Sequence, residues 1–293
     1  MVKENRLSIS IKGINAGVIR QENNFIALAL KVKEPRNKES LFFLPAIVLK
    51  DLLIALEYRL AQIPQLSADE HSRYEKARDK ATAKMHQNIP ALQREELEQA
   101  DVNLRVNAIA LTHDDNETQT FTLTLHSGKK VELVVDLLQI ELLVTVMVHA
   151  INNAGMNELS LRISSMLDFL PLYDVDCQAG GNLEYDTYYH PAWKRNLFVH
   201  HLAVIYRYTD TEGKTQFSGT VIKTRSKPGT KDVEAVTRRL LDCSPRLKKL
   251  AGLPCQVFVR ALSSDKRKTF TADACMQALY QLQQSVEKNA EKA

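Results

Sequence analysis

The densest gathering of chemically capable side chains in this 293-residue chain lies between Asp168 and His201. It holds Asp168, Asp174, Asp176, Glu184 and Asp186, the aromatics Tyr173, Tyr185, Tyr188, Tyr189 and Trp193, and His190, His200 and His201. The pairs Asp174-x-Asp176 and Glu184-x-Asp186 put alternate carboxylates on one side of an extended segment. Oxygens converging in that way suit a hard divalent ion such as Mg²⁺, Mn²⁺ or Ca²⁺. Beside a basic surface, such an ion would serve phosphodiester chemistry. Two patterns speak against that reading. The spacing of a Ca²⁺-binding helix–loop–helix is absent, and Lys223 follows Val221 and Ile222 rather than an acid two positions before it. Mixtures of Asp and Tyr also close ordinary loops. His200 and His201 are neighbours on an expected strand, so they face opposite ways and do not share one ion.

Cations form the second constellation. Lys223, Arg225, Lys227 and Lys231 fall at a strand end and in the loop after it. Arg238 and Arg239 fall on the next helix, with Arg246, Lys248 and Lys249 just beyond it. Several Lys and Arg on one face bind phosphates through counterion release. Tyr188, Tyr189 and Trp193 would supply stacking platforms beside them. The plainer alternative is a solvated basic surface.

Other chemistries lack their signatures. The chain contains no G-x-x-x-x-G-K-[ST], G-x-G-x-x-G, G-x-S-x-G or H-E-x-x-H. Cys177, Cys243, Cys255 and Cys275 are spaced too widely for a Cys-x-x-Cys pair and read as small buried hydrophobes. The first six residues are polar, and the most apolar stretch, residues 134–151, is interrupted by Asp136, Gln139, Glu141 and His149. A cytoplasmic protein with reduced thiols and no membrane association is expected.

These residues need elements to hold them. The pattern predicts an α+β fold. Alternation at Ile26, Leu28 and Leu30, a turn at 35–38 and the strand 41–44 make a hairpin. A helix over 46–62 follows it. About 90 to 95 residues later the order returns, with strand 119–125, a turn at 126–129, strand 130–135 and a helix to about Asn153. The recurrence reads either as an internal repeat with both helices on a joined sheet, or as two instances of a common unit. A weaker strand precedes each hairpin, at 7–12 and 104–111. Residues 67–100 read as an inserted, solvated helical hairpin, opened by the capping box Ser67-x-x-Glu70. In the apolar helix, Ile140, Val144, Met147, Val148 and Ile151 form one stripe, and Leu138, Leu142 and Val146 lie opposite. That second side is covered either by the chain's own helices or by a second copy.

A helix over 158–169 and an aperiodic stretch to Trp193 then connect to strands 197–208 and 215–224, a helix 232–241, a strand 256–261 and a helix 272–286 capped by Thr271. The division is an acidic domain 1–155 with its insert at about 67–100, a connector 156–189, and a small basic ββαβα domain 190–293. Residues 1–189 carry 20 Lys and Arg against 26 Asp and Glu, and residues 190–293 carry 19 against 9. Such asymmetry points the second part towards an anionic partner.

The segments NNFIALALKVKEPRNKESLFF (23–43), LDFLPLYDVDCQ (167–178), NLEYDT (182–187), QFSGTVIKTR (216–225) and SPRLKKLAGLPCQVFVR (244–260) run through nearly the whole chain. In them the chain resembles the YjeJ family of uncharacterised proteins from enteric bacteria. The resemblance implies an enteric source and a cytosolic location, and no activity, cofactor or site residue.

The leading expectation is an accessory or regulatory binding protein whose basic domain meets nucleic acid or an acidic protein, without a cofactor. The alternatives are a Mg- or Mn-dependent phosphodiesterase or nuclease using the 168–201 carboxylates, and a homodimeric adaptor. The balance of motifs favours binding over an enzyme.

Overall fold

The computed structural model describes residues 7–177, 183–265 and 267–290. The chain divides between Leu167 and Asp168 into two compact units.

The first unit contains β1 (Leu7–Ser10), β2 (Gly13–Gln21), β3 (Asn24–Lys33), β4 (Glu39–Leu44), α1 (Ala46–Leu60), α2 (Ala68–His86), α3 (Arg94–Glu98), β5 (Val106–Asp114), β6 (Thr118–Leu125), β7 (Lys130–Asp136), α4 (Ile140–Asn153) and α5 (Asn157–Ser164). Both expected hairpins form, and their turns use positive φ where the sequence allows it, at Asn37 (61°) and Gly128 (80°). The joined sheet does not form. β2-β3-β4 is one antiparallel sheet and β1-β7-β6-β5 is another. β1 pairs in parallel with β7 and so occupies its free edge. Between the two sheets only the single bridge Phe43–Arg105 is made among the described residues.

The insert packs less loosely than its composition suggests. α2 keeps the capping box, with Ser67 Oγ accepting from the Glu70 N–H, and it buries Tyr74 and Met85. Lys31 is buried at 6% exposure and donates to Glu96 at 2.7 Å and to the Ala91 carbonyl at 2.7 Å. The chain after α2 is thereby fastened to β3. On α4 the buried residues are Ile140, Leu143, Met147 and Ile151. Leu143 thus stands in the stripe in place of Val144 and Val148, which the sequence pattern assigns to it and which are only half-buried. α4 lies against β2, β3, α1 and α5.

The second unit contains β8 (Phe169–Cys177), β9 (Leu183–Thr187), α6 (Ala192–Arg195), β10 (His200–Thr209), β11 (Thr215–Thr224), α7 (Lys231–Cys243), β12 (Gln256–Ser263) and α8 (Ala272–Ala290). One antiparallel sheet holds all five strands in the order β12-β10-β11-β8-β9. The stretch that lacks periodicity in the sequence therefore supplies two strands, and the unit is larger than ββαβα. The helix expected over 158–169 stops at Ser164, because Pro171 favours extended backbone before it and Phe169 opens β8. Counted from Asp168, the second unit has 19 basic and 14 acidic residues, and the first has 20 and 21. The charge asymmetry expected from the sequence shrinks accordingly. The described part of the chain contains no helix long and apolar enough to cross a membrane.

Candidate functional site

Side-chain alternation gives the five-stranded sheet two different faces. Val175, Ala203, Ile205 and Val221 point towards α8, where Cys275, Leu279, Leu282 and Val286 cover them. Leu202, Val204 and Tyr206 point the other way, and Tyr206 Oη donates to the Thr237 carbonyl of α7 at 2.6 Å. Asp174 and Asp176 on β8 and Glu184 and Asp186 on β9 share this second face, since Asp174 pairs with Asp186 and Asp176 with Glu184 across the ladder.

Three of the four carboxylates, Asp176, Glu184 and Asp186, meet cations from the segment after α7 there. Arg246 donates to Asp176 at 2.8 Å and to Asp186 at 3.0 and 3.1 Å, with Glu184 at 3.7 Å. Lys249 donates to Asp176 at 2.6 Å, and Ser218 donates to the same carboxylate at 2.7 Å. Burial alone would raise the Asp176 pKa, but the bonds from Lys249, Ser218 and Arg246 bring it below the ordinary carboxylate range. Hydrogen bonding to Arg246 lowers Asp186 likewise. Asp174, fully buried, accepts from Tyr188 Oη at 2.7 Å. The expected metal ligands and part of the expected anion surface thus neutralise one another. Among the described residues, no group of three or more His, Cys, Asp or Glu is placed to hold a metal ion.

The remaining cations divide further. Arg239 makes a two-pronged pair with Asp168 at 2.8 and 2.7 Å and lies over the Phe169 ring. Arg225 lies 5.5 Å over the Phe198 ring. Lys227, Lys231, Arg238 and Lys248 are exposed. Of the expected stacking residues, Tyr189 is 92% exposed, while Tyr188 and Trp193 are half-buried. Burial raises the thiol of Cys177 to about 12 and that of Cys275 to about 11, so neither is a thiolate at neutral pH.

Lys223 belongs to the other face. It is 2% exposed, sits two residues after Val221 on β11, and pairs in register with His201 of β10, itself 1% exposed. A β-bulge flanks this pair on each side. The β8 ladder skips Leu172 between Tyr173 and Pro171, and the β12 ladder skips Leu262 between Ser263 and Ala261. Bulges bend strands and re-aim side chains. Here they accompany a cleft of about 170 Å³ lined by Leu172, Tyr173, Tyr189, Arg195, His201, Lys223, Lys268 and Phe270 among others.

Burial, and then the Arg195 guanidinium, bring the Lys223 amine down from 10.5 to about 8. Burial and the nearby Lys223 and Lys268 bring His201 down to about 4, so its imidazole is neutral at pH 7. Its Nδ1 is buried without a hydrogen-bond partner, and its ring meets Phe270 edge-on at 5.0 Å. Lys268 lies 4.9 Å over the same Phe270 ring. Three cationic side chains and a neutral imidazole thus share one small, partly aromatic cleft, with the Asp265 carboxylate close enough to oppose the lowering at both Lys223 and His201. Sequence pattern alone puts Lys223 and Arg195 among the cations of a basic surface and His201 in the 168–201 constellation, and does not bring the three together. The signal that identifies the cleft is a lysine on the inward-facing side of the strand TQFSGTVIKT.

A sequence model of a family described as YjeJ-like matches residues 7–289 of the chain. A curated relative from Escherichia coli (strain K12), named "Uncharacterized protein YjeJ", is 60% identical over 288 residues, which is 98% of this chain and 100% of the relative. No solved structure matches the chain. With the match running through both structural units, the chain belongs to the YjeJ-like family.

Proposed function

We propose that this protein binds an anionic ligand through its second unit, and that the cleft around Lys223 holds it. The observation that carries this reading is the convergence of Arg195, Lys223 and Lys268 beside the buried, unpartnered Nδ1 of His201. Asp265 opposes the lowering of the Lys223 pKa without cancelling it, and an anion in the cleft offsets the remaining cost of gathering cationic groups there. Ligand pockets for drug-sized molecules run to roughly 300–1,000 Å³, so a cleft of about 170 Å³ suits a small carboxylate or phosphate. Nucleic acid or an acidic protein would reach this cleft only with a terminal or protruding anionic group.

Calorimetric titration of the full chain with inorganic phosphate and with short carboxylates tests this. Binding should weaken about tenfold or more in Arg195→Ala, because charge-assisted hydrogen bonds contribute roughly 1.5–3 kcal/mol. Absence of heat with both ligand classes, at concentrations well into the millimolar range, would remove the reading.

A further inference from the structure

We propose that the Lys223 amine captures the carbonyl of a small 2-oxo acid as a Schiff base, while Arg195 and Lys268 hold its carboxylate. This rests on the anion-binding reading and adds covalent chemistry to it.

Four features support it. The lysine lies inside a cleft rather than on the surface, at 2% exposure. The cleft is small enough for a molecule of a few heavy atoms, and Leu172, Tyr173 and Phe270 give it an apolar wall. Arg195 and Lys268 line the same space and offer positive charge to a carboxylate, the Arg195 guanidinium as a planar fork. His201 is the cross-strand neighbour of Lys223, lines the same cleft, and carries a buried, unpartnered ring nitrogen.

Desolvation beside another cation is a known way to activate an amine. With its pKa near 8, about a tenth of Lys223 is the free amine at pH 7. An ordinary lysine would have less than about a thousandth.

The step balances without an oxidant or reductant. The free amine's lone pair forms a C–N bond to the carbonyl carbon, and the carbonyl π pair moves to oxygen. The nitrogen, now cationic, gives up a proton as that oxygen takes one, giving a neutral carbinolamine. The hydroxyl then leaves with a further proton as water, and the nitrogen lone pair closes the C=N bond. Overall, ammonium and ketone become a protonated imine and one water. The neutral imidazole of His201 is the neighbouring group able to relay these protons.

The test uses the full chain with pyruvate as the probe. Incubation with pyruvate and sodium cyanoborohydride should give one reduced adduct by intact mass, and peptide mapping should place it on Lys223. Calorimetry with pyruvate is run in parallel. Binding with no trapped adduct, or with adducts scattered over surface lysines, overturns the Schiff base and leaves anion binding standing. Neither binding nor adduct removes both. Lys223→Arg keeps a cation and should still bind pyruvate, within about tenfold, while losing the adduct. If that variant misfolds by circular dichroism, the mapping on the unmodified chain decides alone. Arg195→Ala should cut the adduct yield at fixed pyruvate, through weaker carboxylate binding.

Discussion

Lys223 is an ammonium group placed on the apolar side of a strand, and its folded-state pKa of about 8 records the penalty. The sign of the resulting pH dependence follows from proton counting. Between about pH 8 and 10.5 the unfolded chain holds a proton on this lysine that the folded chain has lost. Stability therefore rises with pH through that window and is lowest, as far as this group is concerned, below it. Lys223→Met removes the penalty, along with the opposing pull of Asp265, while roughly keeping side-chain length. At pH 7 the variant should be more stable than the parent by roughly 1–3 kcal/mol, since a tenfold change in proton affinity corresponds to about 1.4 kcal/mol. The gap should close as pH approaches 10. Urea denaturation of both proteins from pH 7 to 10 measures it, and parallel stability curves would show that Lys223 is not held in this state. A stabilising loss of a lysine would itself suggest a functional reason for its presence.

At the scale of elements, the ion-pair layer between β8–β9 and the segment after α7 makes a second prediction. Arg246 ties Asp176, Glu184 and Asp186 to residues some sixty to seventy positions later. Arg246→Ala leaves part-buried carboxylates without their guanidinium, and should cost roughly 1–3 kcal/mol at pH 7. Both Asp176 and Asp186 titrate below the ordinary carboxylate value of 3.8 when folded. Their stabilisation is present above that value and is lost as pH falls through the folded values. Parent and variant curves should therefore converge below about pH 4. A difference that persists unchanged at pH 2 would point to lost packing instead.

The same layer explains why β8 and β9 were not legible in the sequence. Their inward-facing positions include Asp174 and Asp176, so hydrophobic alternation fails where a strand buries charge against charge. β2 escaped for another reason. GINAGVIRQ carries two glycines and no clean alternation, yet Gly13 and Gly17 lie where a Cβ would run into Asn88 and Leu92. By contrast β3, β6, β11, α1 and α8 could be read from periodicity and turn residues alone. On α4, periodicity gave the helix and the buried Ile140, Met147 and Ile151, but chose Val144 and Val148 over Leu143, because apolar residues nearly encircle it. Met147→Ala or Leu143→Ala should cost roughly 2–5 kcal/mol, as buried truncations do. Thr145→Ala, on the exposed side, should stay within about 0.5 kcal/mol. Thermal or urea unfolding of the three variants distinguishes this stripe from one centred on Val144 and Val148.

For the whole molecule, the decisive quantity is how many cations remain for a polyanion once internal pairs are satisfied. The linear sequence suggests nine, from Lys223 to Lys249. The fold turns Lys223 inward, pairs Arg239 with Asp168, joins Arg246 and Lys249 to the carboxylates of β8 and β9, and lays Arg225 over Phe198. Lys227, Lys231, Arg238 and Lys248 remain exposed. Counterion release gives a slope of about −0.7 per phosphate contact for single strands, so four contacts imply a log–log salt slope near −3 and nine would imply about −6. Fluorescence anisotropy with a labelled single-stranded oligonucleotide, from roughly 25 to 200 mM salt, measures the slope in a range where such contacts dominate. The expected result is weak binding with a slope no steeper than about −3, flattened further when Lys227, Lys231, Arg238 and Lys248 are replaced by Ala. Those four replacements spare every ion pair described above, so the variant should melt with the parent. A slope near −6 would require the Arg246 and Lys249 pairs to open and turn to the nucleic acid, and would return the extended-polyanion reading to first place over the cleft.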